Sequence, residues 1–372
     1  MNLAGLALRN LRRRPVRTAL SILGIALAVG SALALIALSR SIQDTTREGM
    51  DEVGDDLAVT QRGAADIFGG FLPEDMEARV GKVAGAAKVA GELFMFAPSE
   101  RNRQVLTVGW PQTSYLWKDV PIREGRVPNL GERHVAVLGD AAAEALAKKV
   151  GDSVEIMGDQ LTVIGISKYK SLINRGTVIL PLADLQEASF RLNQVTMVHV
   201  KFPRGTPAAD ISRIRQDIEN LGRVTVSTSN EILDNDRNFK ILNAVSLAIS
   251  IIALTMGVLY VLNSLVMATQ ERTREIGIVA AIGWSDTRIM ASIVAEGLVM
   301  CAIGCVLGVL LSFLAAFAFP YIPAIGDLIS FKPSVTLISA TIAAAFALCA
   351  VGALYPAWRA VRLSPAEALR RA

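Results

Sequence analysis

Chemistry-bearing residues are scarce in this chain. Histidine occurs twice in 372 residues, cysteine three times, and aromatic residues amount to 6%. Each scarcity excludes something. Cys301, Cys305 and Cys349 all fall in late apolar runs, so no disulfide framework holds the long segment between the first two apolar runs. Cys301 and Cys305 share a helix face, and they read as small packing residues rather than as a metal or haem site. There is no H-E-x-x-H, no C-x-x-C, no G-x-S-x-G and no G-x-x-x-x-G-K-[ST] phosphate loop. His134 and His199 both sit in strand-like runs and read as ordinary strand residues. Asp and Glu are scattered without paired spacing. The expectation is therefore no catalytic residue, no metal site and no cofactor-binding residue in this chain.

Charge is missing in a pattern. Residues 18–38, 241–269 and 333–357 contain none, and 289–322 carry only Glu296. Each run reaches the roughly 20 apolar residues that cross a hydrocarbon core. With 52% of residues hydrophobic, the chain predicts four transmembrane helices, at 18–39, 239–269, 288–320 and 333–357. The first run is longer than the roughly 7–15 residues of a signal-peptide core and lacks a clean cleavage site, so it reads as a retained anchor.

Arginine gives the orientation. Arg9, Arg12, Arg13, Arg14 and Arg17 precede the first run, Arg272, Arg274 and Arg288 follow the second, and Arg359, Arg362, Arg370 and Arg371 close the chain. The loop from Tyr321 to Ser334 has only Lys332. The basic amphipathic start (1–17), the connection 270–287 and the tail 358–372 are therefore expected in the cytoplasm, with both termini inside and 40–238 outside. The net charge of +4 then belongs to a basic membrane edge, so lipid is a partner and nucleic acid is not.

Residues 40–238 alternate β-branched runs with helical stretches. DLAVTQRG (56–63), KVAGELFMFAP (88–98), RQVLTVGW (103–110), QLTVIGIS, GTVILP, VTMVHVKF (195–202) and VTVST (224–228) read as strands. PEDMEARVGKV (73–83) and ADISRIRQDIENLG (209–222) read as helices, and 134–157 as strand, helix, strand. The fold class is a membrane α-helical protein of four transmembrane helices, with a large α+β extracytoplasmic domain between helices 1 and 2. Within that domain, 54–110 and 192–230 are expected to fold together, with 111–191 as an inserted subdomain. The second span, reached through SNEILDNDRNFK (229–240), is expected to form a stiff link to the outer domain.

The connection MATQERTREIGIVAAIGW (267–284) is unusual. Glu271, Arg272, Arg274 and Glu275 crowd its start, and Ile276, Val279 and Ile282 recur at three-residue steps near one helix face. Spacing alone leaves two readings open: an interfacial helix resting on lipid, or a peg that buries apolar anchors in a partner's groove and rings them with salt bridges. Glu296 lies roughly 12 Å beyond Arg288 along a helix at 1.5 Å per residue. An acid at that depth is expected to pair or pack within the bundle. Gly304, Gly308 and Ser312 form a small-residue stripe suited to close helix packing.

ERTREIGIVAAIG (271–283) resembles the coupling-helix segment of MacB/FtsX-like ABC transporter permeases (type VII ABC superfamily). LALRNLRRRPVRTALSILGIALAVG (6–30) is similar to their basic start and first span. GDDLAVTQRG (54–63) and GWPQTSYLWKDVPIREGRVP (109–128) are similar to their outer domain. AEGLVMCAIGCVLGVLLS (295–312) carries their acid early in the third span, and YPAWRAVRLSPAEALR (355–370) is similar to their terminal signature. The resemblance covers nearly the whole chain. It implies a stand-alone permease without a fused ATPase, working as a homodimer or related heterodimer in the bacterial cytoplasmic (inner) membrane. ATP and Mg would sit on a separate cytoplasmic ABC ATPase, which Glu271, Arg272, Arg274, Glu275, Ile276, Ile278, Val279 and Ile282 would contact. A periplasmic membrane-fusion protein or an envelope enzyme is a further partner of the kind it implies.

The implied function is non-enzymatic. ATPase closure is relayed to the outer domain and drives export or extraction of a lipophilic or amphiphilic substrate. The alternative is a non-transporting mechanotransmission scaffold that regulates a cell-envelope enzyme such as a peptidoglycan hydrolase. Four nearly uncharged spans make a poor polar channel, which agrees with either.

Overall fold

The computed structural model describes residues 15–318, apart from 65, 67, 86, 101 and 102, and residues 333–362. The basic residues before Pro15, the loop between the third and fourth spans and the signature after Arg362 lie outside the described residues. Contacts divide the chain into two units, one of residues 41–241, the other of the described parts of 1–40, 242–319 and 331–372.

The helical unit draws on four helices long and apolar enough to cross a membrane: Pro15–Val53, Arg237–Glu271, Asp286–Ala318 and Val335–Val361. Their shared core holds Ile25, Val29, Leu33, Val261, Leu265 and Met300, with Cys301, Cys305 and Cys349 among them. Most other apolar side chains of the second long helix point outward, Leu247, Ile251, Ile252 and Leu259 among them. A helix with an apolar exterior is stable only where water is excluded. Glycine sets the spacing of the first and third long helices. A Cβ on Gly304 would lie 2.6 Å from Ile25 Cγ2, and one on Gly308 2.9 Å from the Ala26 carbonyl oxygen. Ser312, one turn further, is buried. The small-residue stripe read in the sequence thus faces a neighbouring helix, where backbone-to-backbone packing replaces the hydrophobic effect.

The other unit is built on a mixed sheet. Its strands are β1 (Leu57–Gln61), β2 (Leu72–Pro73), β3 (Lys88–Pro98), β4 (Gln104–Trp110), β5 (Ile122–Gly125), β6 (Val135–Gly139), β7 (Ser153–Ile156), β8 (Asp159–Ser167), β9 (Thr177–Pro181), β10 (Gln194–Val195), β11 (Met197–Lys201) and β12 (Val224–Ser227). The order is β12-β1-β11-β3-β4-β9-β6-β8-β5, with β7 on β8 and a small β10-β2 pair apart. Helices Met76–Ala84 and Ala208–Glu219 add Met76, Val80, Ala84 and Ile218 to a core of Val59, Leu93, Leu138, Leu180 and Val198.

Strand β3 is long enough to serve two partners. Its first half, Lys88–Glu92, pairs with β11, and its second half, Leu93–Pro98, pairs with β4. β4 in turn runs parallel to β9. The division expected near 110/111 therefore falls inside β3 instead, and β4 belongs with the strands of the inserted region. Sequence periodicity marks a strand but not which half of it meets which neighbour.

Two other elements differ from expectation. The first long helix does not stop near 39 but continues through a polar stretch to Val53. It persists there because Met50 and Val53 pack on the core around Phe94 and Trp110. Its Glu52 carboxylate also accepts from the backbone N–H groups of Lys170 (2.6 Å) and Ser171 (3.1 Å). Burial alone would raise the Glu52 pKa, but these bonds hold it below the ordinary carboxylate value. Segment 229–240, expected as a stiff link, is broken. Helix Ser229–Asn235, opened by a Thr228–Glu231 capping box, ends at an extended Asp236 (φ −61, ψ 130). Asp236 then caps the next helix, accepting from Asn238 N (2.8 Å) and Phe239 N (3.2 Å).

Candidate coupling site

The second long helix ends at Glu271, and the chain bends at Arg272 (φ −105, ψ 16) before helix Thr273–Ala281. The bend is stapled by the Thr273 hydroxyl, which donates to the carbonyls of Gln270 (2.7 Å) and Thr269 (3.1 Å). At the far end Gly283 takes φ +99, a conformation glycine adopts without strain. Its N–H reaches Ala280 O (3.0 Å) and that of Trp284 reaches Val279 O (3.3 Å), closing the helix before the third long helix starts at Asp286.

The faces of this short helix are not those that three-residue spacing suggests. Gly277 is buried, and Ile276, Ala280 and Trp284 pack against the core of the helical unit. Ile276 therefore points inward, away from Ile282, which is 76% exposed. Ile278, 43% exposed, stands one turn before Ile282, and Val279 lies between the two faces. The outward apolar ridge is Ile278–Ile282, with exposed Glu271, Arg274 and Glu275 before it. The sequence grouping fails because a step of three drifts about 60° per repeat on a 3.6-residue helix, whereas a step of four stays nearer one line.

Ion pairs fasten the base of the helix. Arg17 Nη1 lies 2.9 Å from Glu271 Oε2, joining the first and second long helices. Arg272 Nε lies 3.1 Å from Glu275 Oε2, and its Nη1 lies 3.3 Å from Glu296 Oε2. Glu296 is buried on the third long helix, so this guanidinium spans two elements. A shallow cleft lined in part by Ile276, Gly277, Ala280, Asp286, Ile289 and Arg359 runs beside the short helix.

Elsewhere, Cys301 and Cys305 sulfurs lie 3.9 Å apart in a buried apolar setting. No cluster of His, Cys, Asp and Glu able to hold a metal ion occurs among the described residues. His134 is an exposed residue with φ 55 just before β6, its N–H donating to Asp184 Oδ2 (2.9 Å), rather than a strand residue.

His199 is in a strand, as read, but its surroundings were not foreseen. Its Nδ1 lies 2.8 Å from Asp55 Oδ2. Its Nε2 lies 3.3 Å from Glu92 Oε2, an ion-pair distance without hydrogen-bond alignment. Trp110 Nε1 donates to the same Glu92 oxygen at 2.6 Å. Burial would lower the imidazole pKa, but Glu92 and Asp55 together push it up to about 10. The sequence signal was faint: a histidine and one acid within strands and a second acid just before β1, far apart along the chain.

Two family descriptions match the chain. The MacB-like periplasmic core domain matches residues 18–221, and the FtsX-like permease C-terminal matches residues 247–365. The chain belongs to the MacB/FtsX-like ABC permease family. Among its relatives, a macrolide export ATP-binding/permease protein MacB of Nitrobacter winogradskyi is 27% identical over 96% of this chain and 58% of that protein. The chain thus spans little more than half of that relative's length. An uncharacterized ABC transporter permease of Mycobacterium tuberculosis is 27% identical over 86% of this chain and 88% of its own. The crystal structure of the periplasmic region of MacB from Actinobacillus actinomycetemcomitans aligns with a TM-score of 0.40 and 12% identity, over 50% of this chain and 94% of that one. In MacB/FtsX-like terms, the periplasmic-core match covers the sheet unit up to residue 221, short of β12, and the short helix Thr273–Ala281 lies within the permease match.

Proposed function

We propose that the chain is the permease subunit of an ABC transporter in a bacterial inner membrane, with helix Thr273–Ala281 docking on a separate cytoplasmic ATPase. The carrying observation is the exposed Ile278–Ile282 ridge, flanked by charged residues on a helix whose other face is fixed to the bundle. A short helix of this form suits a groove that buries apolar anchors within a rim of charge. ATP and Mg belong to the partner. Both termini then share the ATPase side, and the sheet unit lies outside. Two permease copies act together, as a homodimer or with a related chain. Closure of the ATPases is relayed to the outer units, which drive export or extraction of a lipophilic or amphiphilic substrate. The Nitrobacter relative's description as a macrolide exporter supports that substrate class.

The test is capture of the co-expressed ABC ATPase by the detergent-solubilised permease. Ile278→Asp and Ile282→Asp each place a charge in the docking groove, at a cost of several kcal/mol if unpaired. Both should abolish capture while membrane insertion stays normal. Ile276→Asp should instead lower the yield of folded permease, since Ile276 packs inward. Undiminished capture by both ridge variants would sink the docking assignment.

A further inference from the structure

The bend at Arg272 raises a mechanical problem. A two-helix corner can swivel, and a swivel would absorb displacement of the short helix instead of passing it on. The backbone bridges the bend, Arg272 N–H reaching Ala268 O (3.2 Å) and Ile276 N–H reaching Arg272 O (2.9 Å), but these bonds join the short helix only to the second long helix and not to the third. What ties the start of the short helix to the third long helix by charge is the Arg272 side chain. The guanidinium holds Glu275, in the first turn of the short helix, and Glu296, ten residues into the third long helix, at 3.1 and 3.3 Å. Arginine suits this because its planar fork presents donors in several fixed directions, whereas a lysine ammonium is a single flexible point. Glu296 is buried, so its carboxylate is ordered by packing as well as by charge. Its neighbour Gly297 packs against Leu265 and Ala353, which fixes that turn of the helix against the second and fourth long helices.

We propose that Arg272 and Glu296 form a positioning latch that sets the short helix rigidly on the third long helix, so that movement of one is movement of the other. The latch deepens the docking assignment and rests on it for its purpose, but its structural effect can be read without any ATPase. Arg272 and Glu296 are positioning residues, because they act through the helix they hold.

The full-length permease in lipid nanodiscs is compared with Glu296→Gln, Arg272→Gln and the double variant by amide hydrogen exchange. Glutamine keeps the volume of Glu296, so folding is preserved, and unchanged exchange over 300–312 verifies that in each variant. Each single variant should raise exchange over 273–281 about tenfold, and the double variant should raise it no further, as expected for two halves of one interaction. Arg272→Lys should resemble Arg272→Gln, because the charge remains but the fork is lost. Wild-type exchange in the single variants, or additive effects in the double, overturns the latch. Capture of the co-expressed ATPase is measured in parallel. Glu296→Gln should still capture it, since the Ile278–Ile282 ridge is intact, but stimulate its hydrolysis several-fold less. If the wild-type chain captures no ATPase, the docking assignment fails while the exchange result still decides the latch.

Discussion

The two units solve the problem of a polar group in a core in opposite ways. The sheet unit buries charge outright, setting His199 between Asp55 and Glu92 with Trp110 beneath. The helical unit keeps its paired acids and arginines near one end, at Arg17, Glu271, Arg272 and Glu296, and fills its middle with glycine, serine and cysteine. The difference follows from what each backbone leaves over. In the sheet, neighbouring strands from distant parts of the chain bring several side chains to one point, so a charge can be surrounded. Along the middle of a membrane-spanning helix the backbone groups bond within the helix, and close approach of neighbouring helices is a main source of stability. Specificity therefore resides in charge in the sheet unit and, along the middle of the bundle, in shape.

The largest break in that contrast should come from His199. Residues 44–236, expressed alone, should fold cooperatively without disulfides, and His199→Ala should cost that fragment about 3–5 kcal/mol, as loss of one partner in a buried ion cluster does. Urea unfolding measures it, and a loss under about 1 kcal/mol would mean the cluster is not structural. The pH dependence has a definite sign. The folded imidazole is raised to about 10 from 6.5. Its contribution is therefore full below pH about 6.5 and lost as pH rises through about 10. Between pH 7 and 9 the wild-type fragment should lose stability relative to His199→Gln, and parallel curves would contradict the charged triad.

Shape should be the more sensitive property of the helical unit. Gly308→Leu would force a side chain against the Ala26 carbonyl and Val29, both within about 3 Å of the first added carbon. Overpacking of this kind costs about 1–3 kcal/mol. It should appear as a lower thermal midpoint of the detergent-solubilised chain, with the melt of the 44–236 fragment, which lacks this position, as the reference for the sheet unit.

How far the sequence reveals each unit follows from the same contrast. Charge-free runs of spanning length are one-dimensional signals, so four helices could be read directly, and so could the stripe Gly304–Gly308–Ser312. Most strands were legible from β-branched runs for the same reason. What is fixed by contact at long range was not. The first helix outruns its apolar stretch because Met50 and Val53 meet a core assembled from β3 and β4. β3 divides between β11 and β4 with nothing in its own residues to mark the point. At the candidate site the charged residues and isoleucines were visible, but which isoleucine faces out depends on the bend at Arg272, and only the fold supplies that angle.

The smallest effect should have the opposite sign, and it isolates what glycine does in each unit. Gly81 sits inside helix Met76–Ala84 of the sheet unit, and a Cβ built there would meet nothing within 4 Å. Its backbone is helical, so alanine needs no rearrangement. A glycine in such a place contributes only chain entropy to the unfolded state, and alanine removes some of it. Gly81→Ala should therefore stabilise the 44–236 fragment by roughly 0.5–1 kcal/mol. Alanine at Gly304, by contrast, would place its one methyl 2.6 Å from Ile25 Cγ2 and should destabilise the bundle. Denaturation of the fragment and of the full chain, carrying one alanine each, compares the two directly. Stabilisation at both positions would show that the first and third helices do not rely on close approach at Gly304. Destabilisation at both would show that Gly81 meets a contact that its open surroundings do not reveal. Opposite signs, the expected result, would mean that one substitution reads backbone freedom in the sheet unit and packing distance in the bundle.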